Sequence, residues 1–215
     1  MLNEADLGRA SGGDTIPEMS TGPTSAETTA LLLESPRRLS IEDYHRMMET
    51  GILGEDERVE LLEGVIVAMS PQQDAHAWAI EWLNRFLART LGDEFRVRPQ
   101  LPLSLGELNE PEPDLAVVAA ATRVKGRHPE SALLAVEVSG VESLARDRKV
   151  KALLYARFRI PEYWIVDLEH ETVEVFGDPD PSAGAYRRSR TLGKGEMLAS
   201  EVLPGVSFPV RELFS

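Results

Sequence analysis

Residues 133–155 read LLAVEVSGVESLARDRKVKALLY, a buried strand followed by a helix. The opening LLAVEV is a Val/Leu-rich run of the kind that forms a strand covered on both faces. Glu137 stands in its middle. A carboxylate there is costly unless it is paired or holds a metal. After a Ser139-Gly140 turn the spacing predicts a helix. With Val150 at 0° and about 100° per residue, Leu154 falls at about 40°, Phe158 at about 80°, Lys151 at about 100° and Tyr155 at about 140°. Lys151 thus lies within the apolar face, as does Asp147 one turn earlier. Glu137 followed by an inward-facing lysine has two readings: a buried ion pair, or a divalent-cation site with a lysine beside it.

The 215 residues suffice for one mixed α/β domain with a sizeable core. The absence of cysteine excludes a disulfide framework, a thiol nucleophile and a cysteine zinc site. With no apolar run of about 18 residues and no basic start leading into an apolar signal core, the chain reads as a soluble cytoplasmic protein with no membrane partner. A net charge of −13 argues against a general nucleic-acid coat, which would be basic. It is compatible with a nucleic-acid enzyme that has a local basic patch. Residues 141–160 carry Arg146, Arg148, Lys149, Lys151, Arg157 and Arg159 against Glu142 and Asp147. Most of these arginines are expected on a solvated helix face.

Residues 1–37 are rich in Gly, Ser, Thr and Pro and are expected to form a disordered tail, with a brief helix at Ala30–Leu33 as the one exception. The folded domain is expected over 38–215. Ser40, followed by Glu42 and Asp43, predicts a helix start, and Gly51 its stop. Arg58–Ser70 predicts a hairpin turning at Glu63-Gly64, with Glu60 on its first strand. Asp74 is expected to cap a helix running to Gly92, with His76 in its first turn read as a local hydrogen-bonding residue in preference to a ligand. Phe95–Leu105 predicts an edge or broken strand, because of Pro99 and Pro102. In NEPEPDLAVVAA the prolines favour extended backbone, so Glu110, Glu112 and Asp114 alternate onto one face, and Leu115–Ala120 continues as a buried strand. Glu110 and Glu112 have a second reading, as solvated acids at the strand's start. Beyond Ile160-Pro161, Tyr163–Val166 predicts another buried strand and LEHETVEVF a returning hairpin. A loop is expected at Gly177–Gly184, and short strands near Val202–Val210 finish the sheet.

The candidates for chemistry are Glu60, Asp114, Glu137 and Lys151. Two carboxylates on adjacent strands suit Mg²⁺ (or Mn²⁺), which takes oxygen ligands and keeps several waters. A lysine beside them can orient a water or help deprotonate it, and can stabilise charge developing on a phosphate. No P-loop, GxGxxG or Ser-His-Asp arrangement competes.

Pro113-Asp114 followed by Glu137-Val138-Ser139 resembles the two halves of the PD-(D/E)XK nuclease signature. RVELLEGVIVAMSP (58–71), EPDLAVV (112–118), AVEVS (135–139) and DRKVKALLYARFRIPEYWIVD (147–167) together resemble the Uma-type family of restriction-endonuclease-like proteins, over roughly Leu39–Phe214. The most specific part is the Asp147, Lys151, Tyr155 spacing followed by PEYWIVD. Ser139 occupies the position where the superfamily lysine normally stands. The resemblance implies that the lysine comes from the following helix, which is Lys151, with Lys149 as the fallback. It also implies that Glu60 supplies a further acid, and it matches His76 without assigning it a role. The family's usual Ser-Pro after the strand is here Gly140-Val141. The expected fold is therefore an α/β restriction-endonuclease-like domain. Its central mixed sheet would carry one helix layer near 76–91 and another near 145–158. The expected activity is Mg²⁺-dependent cleavage of nucleic acid, DNA the expected substrate. Asp114 and Glu137 would bind the metal and Lys151 would position the water. The rivals are a non-cleaving nucleic-acid- or partner-binding module and a structural accessory in which these groups form an ion-pair network. The oligomeric state is left open, a homodimer included.

Overall fold

Ser40 begins the first described helix with a capping box: its Oγ accepts the Asp43 N–H at 3.0 Å and its own N–H donates to Asp43 Oδ2 at 3.3 Å. Two first-turn donors are thereby satisfied, and α1 runs over Ile41–Glu49. Gly51, at φ +71°, carries the chain out of it. The structure is a computed structural model that describes residues 36–54, 56–71, 73–122 and 126–214. The expected tail, as far as residue 35, lies outside the described residues, and so does the brief helix at 30–33.

β1 (Val59–Leu62) and β2 (Val65–Ala68) pair antiparallel with Leu62 opposite Val65, so Glu63-Gly64 is the two-residue turn expected. Both turn residues are left-handed, Glu63 at φ 50° and Gly64 at φ 72°, the combination that a type I′ hairpin requires. Gly64 is also hemmed in, since a Cβ there would fall 2.6 Å from the Cβ of Arg38. The hairpin therefore docks on the segment before α1, and its first strand buries Glu60.

α2 spans Asp74–Thr90. Its N-cap is Gln73, not Asp74; Asp74 is the first helical residue, where its charge meets the positive end of the helix dipole. Six strands form the central sheet in the order β3-β4-β5-β6-β7-β8: Phe95–Pro99, Leu115–Ala119, Leu134–Ser139, Glu162–Asp167, Thr172–Asp180 and Ala185–Gly193. All neighbours are antiparallel except β5 and β6. A parallel pair needs a crossover, and helix α3 (144–157) supplies it. Every residue of β5 and β6 is buried, as strands covered on both faces must be.

The two helix layers stand on opposite faces, as expected. α2 packs Ala79, Ile80, Leu83 and Leu87 against Leu115, Val117, Leu134, Val136, Trp164 and Val166. α3 packs Leu144, Ala152, Leu154 and Tyr155 against Ala116, Val118, Ala135, Tyr163 and Ile165. No described helix is long and apolar enough to cross a membrane.

Three expectations are corrected. β3 is an edge strand but ends at Pro99, because Gln100 turns to φ +48°. The first half of the expected loop at 177–184 is strand, since β7 continues through Asp180 and pairs with β8, and only 181–184 form the turn. The C-terminal strands β9 (Met197–Ala199) and β10 (Ser207–Pro209) pair with each other rather than finishing the central sheet. Phe208 from that small sheet packs against Trp82 and Phe86 of α2.

α3 is not uniform. Leu144–Arg146 and Ala152–Arg157 are α-helical, but Asp147–Lys151 is a π turn closed by the Ala152 N–H on the Asp147 carbonyl, five residues back. Asp147 and Lys151 are buried, as their place on the wheel predicts, whereas Val150, the zero of that wheel, is exposed. The extra residue in the wide turn re-phases the helix and moves its buried stripe away from Val150.

Candidate active site: an acidic cleft around Lys151

The last pair of the β4–β5 ladder is Leu115 with Val136, so the next residues out, Asp114 and Glu137, stand opposite each other. Strand alternation puts both on the face of Ala116 and Ala135, the face that α3 covers. Beyond that pair the ladder is continued by a side chain: the Val138 N–H donates to Asp114 Oδ2 at 2.8 Å. The strands part there, at a cleft of about 440 Å³ lined by Glu60, Glu112, Asp114, Glu137, Asp147 and Lys151 among others.

Lys151 is the hub. Its Nζ lies 3.0 Å from Glu60 Oε2 and 3.0 Å from Glu137 Oε1, with all three side chains at most 5% exposed. Glu137 Oε1 also accepts the Tyr155 hydroxyl at 2.8 Å, and Glu60 Oε2 the Glu112 N–H at 3.2 Å. The π turn delivers Asp147 to the same place. Its Oδ2 accepts from Ser139 Oγ at 2.7 Å, while its carbonyl accepts the Tyr163 hydroxyl at 3.2 Å. Ser139, in the position of the superfamily lysine, thus serves as a donor to Asp147.

Glu60, Asp114, Glu137 and Lys151 are all brought to one cleft. Of the three alternating acids, Glu112 and Asp114 line it but Glu110 does not. Glu110 is buried, its backbone bridged to Leu61 and its carboxylate bonded to His45 Nε2 at 2.6 Å and Ser104 Oγ at 2.9 Å. It is therefore neither a cleft acid nor a solvated one. Lys149 is exposed. His76 is not the local hydrogen-bonding residue expected, because its Nε2 reaches Asp114 Oδ2, 3.1 Å away, from another element. Part of the basic stretch is neutralised by acids: Arg148 bonds Asp167 and Glu174, and Arg157 bonds Glu63. Arg146 lines the cleft, its Nη1 donating to the Ala68 carbonyl at 3.0 Å. Asp147, Ser139 and Tyr155 had no assigned role in the sequence, although the Asp147, Lys151, Tyr155 spacing was its most specific pattern.

Burial pushes the Glu137 carboxyl well above the usual range, with Lys151 opposing and Asp147, Asp114 and Glu60 adding to the rise. Burial likewise raises Asp147, against Lys151 and the Ser139 hydrogen bond. Burial would lower Lys151, but Glu137, Glu60 and Asp147 outweigh it and hold the amine above its ordinary value. One ammonium shared by several carboxylates stays charged while the acids compete for it.

A pH dependence follows. A carboxyl with a raised folded-state pKa gives stability that is complete below its unfolded value, about 4.3 for Glu, and is lost as pH rises through the folded value. Lys151, raised as well, keeps its contribution until pH passes the ordinary lysine range. Between pH 8 and pH 5, wild-type protein in chelator should therefore gain stability relative to Glu137→Gln, which carries no titrating proton. Urea midpoints at both pH values measure this. Parallel profiles for the two proteins would contradict it.

Among the described residues no group of three or more His, Asp or Glu side chains is spaced to hold a metal ion. Asp114 and Glu137 offer a pair of hard oxygens, and Mg²⁺ is commonly held by one or two carboxylates with waters filling the rest. Glu60 Oε1 is buried without a partner. Such an orphan calls for a donor, a water or a cation.

A family model named Uma2, described as "Putative restriction endonuclease", matches residues 41–211. Among solved structures the chain is similar to a protein from Anabaena variabilis ATCC 29413, described as a "putative nuclease belonging to DUF820". The TM-score is 0.67 at 13% identity, covering 82% of this chain and 97% of the other. At that identity the likeness is one of fold. No curated protein matches the chain.

Proposed function

The chain belongs to the Uma2 family, and on that premise we propose that it is a metal-dependent nuclease that hydrolyses phosphodiester bonds in DNA. Asp114 and Glu137 would hold Mg²⁺ or Mn²⁺ with Lys151 beside them. The observation that carries this reading is the cross-strand pair Asp114/Glu137 on one sheet face, with the Lys151 ammonium 3.0 Å from Glu137 in an open cleft. The charge balance supports it. Seven acids line the cleft against Arg58, Arg146 and Lys151, so a polyanion entering without a cation would be repelled.

When bound, the cation would polarise the scissile phosphate and acidify an attacking water. Lys151, held charged by its acids, acts as a donor and a positive charge, not as a base. An ammonium has three N–H donors, and Glu60 and Glu137 take two. The third is available to an oxygen of the water or the phosphate. Tyr155 and Lys151 both bond Glu137 Oε1, which fixes that carboxylate and leaves Oε2 for the cation. Arg58 and Arg146 are the cleft cations suited to phosphate oxygens.

The test is cleavage of plasmid and single-stranded DNA, with added Mg²⁺ or Mn²⁺ and with chelator. The expected result is cleavage that requires metal and is lost in Asp114→Asn. DNA binding without cleavage under either metal would replace the nuclease with a non-cleaving module.

A further inference from the structure

We propose that His76 is a positioning residue that aims Asp114 at the cation, a role that rests on the metal-dependent reading above. Asp114 needs such support. Its carbonyl accepts the Gln100 N–H at 3.1 Å, but on the β5 side it lies just beyond the last ladder pair, and Pro113 before it has no N–H to donate. Two donors hold its Oδ2 instead: the Val138 N–H at 2.8 Å and His76 Nε2 at 3.1 Å. A carboxylate only accepts, so the hydrogen-bond network assigns a proton to Nε2. With Oδ2 occupied twice, Oδ1 is left as the oxygen that takes a cation.

The two side chains are 14% and 15% exposed, so the bond is sheltered from competing water. His76 stands in the first turn of α2, a helix that packs on the sheet face opposite α3. At the start of β4 this first turn reaches the site, linking one helix layer to a carboxylate on the other face. His76 Nδ1 is buried with no partner, so Nε2 makes the ring's one hydrogen bond, to Asp114.

A mere tether for α2 would also use this bond, so the test reads metal affinity apart from folding. Thermal unfolding of the full chain is followed while MgCl₂, and separately MnCl₂, is titrated into wild type, His76→Leu and His76→Gln. Losing a side chain that orients a ligand weakens metal affinity by about 10–100-fold. The half-saturating Mg²⁺ concentration should rise by that factor in His76→Leu. His76→Gln, whose amide can place an N–H near the Nε2 position, should recover most of it. Equal half-saturation in wild type and His76→Leu, whatever the metal-free Tm, would overturn the positioning role and leave a tether. A glutamine variant no better than leucine would overturn it too. A wild type that does not respond to either metal would overturn the cation reading itself, and this inference with it.

Discussion

Replacing Lys151 with methionine is expected to destabilise the metal-free protein by about 3–5 kcal/mol, the usual cost of removing one partner from a buried charge pair. Methionine keeps the length and apolar stem, so packing is largely preserved. What is lost is the ammonium 3.0 Å from both Glu60 and Glu137, each nearly fully buried. At about 2–4 °C per kcal/mol for a chain of this size, Tm should fall by roughly 6–20 °C. The double variant Lys151→Met/Glu137→Gln should recover much of that loss, because one stranded carboxylate is gone. Cleavage by Lys151→Met alone should be at least about 100-fold down, as expected when a charge aimed at the transition state is removed. Lys149→Met is the control, since Lys149 is exposed. If Lys151→Met cost less than about 1 kcal/mol, the ion pairs would not be holding the site together. Ion pair and active-site lysine, posed as alternatives for Lys151, are compatible: the pairing seen in the structure keeps the lysine charged and in place.

Much of this arrangement was legible in the sequence because it follows from local rules. A Val/Leu run makes β5 a buried strand, Glu63-Gly64 makes a two-residue hairpin, and Ser40 with Asp43 makes a capping box. The burial of Lys151 and Asp147 followed from helical spacing, although the spacing assumed was uniform. The π turn was not legible, because the Ala152 bond to Asp147 is a tertiary choice supported by Tyr163 from β6. Glu110 and Glu112 are two residues apart and read alike. Only the fold shows that His45 and Ser104 withdraw Glu110 while Glu112 stays at the cleft. His76 lacked a role for the same reason, since its partner Asp114 lies 38 positions away. The extension of β7 through Pro179 was hidden by the composition of Gly177–Gly184, which reads as a loop until β8 pairs with it.

Asp114→Asn is expected to abolish divalent-cation binding while leaving the metal-free fold intact. Asparagine keeps an acceptor for the Val138 N–H and removes a charge that raises the Glu137 pKa, so stability in chelator should be unchanged or slightly higher. A ligand that binds the folded state alone adds about 2.7 kcal/mol at one hundred times its Kd, or roughly 5–11 °C in Tm for a chain of this size. Wild type should show a rise of that order with saturating Mg²⁺, and Asp114→Asn and Glu137→Gln essentially none. Calorimetric titration of Mg²⁺ and of Mn²⁺ into the three proteins is the most direct measurement of whether this carboxylate pair holds a cation. Saturable binding in wild type that disappears in both variants is the predicted result. Binding that persists undiminished in Asp114→Asn, or no binding of either ion to wild type, would contradict the metal site.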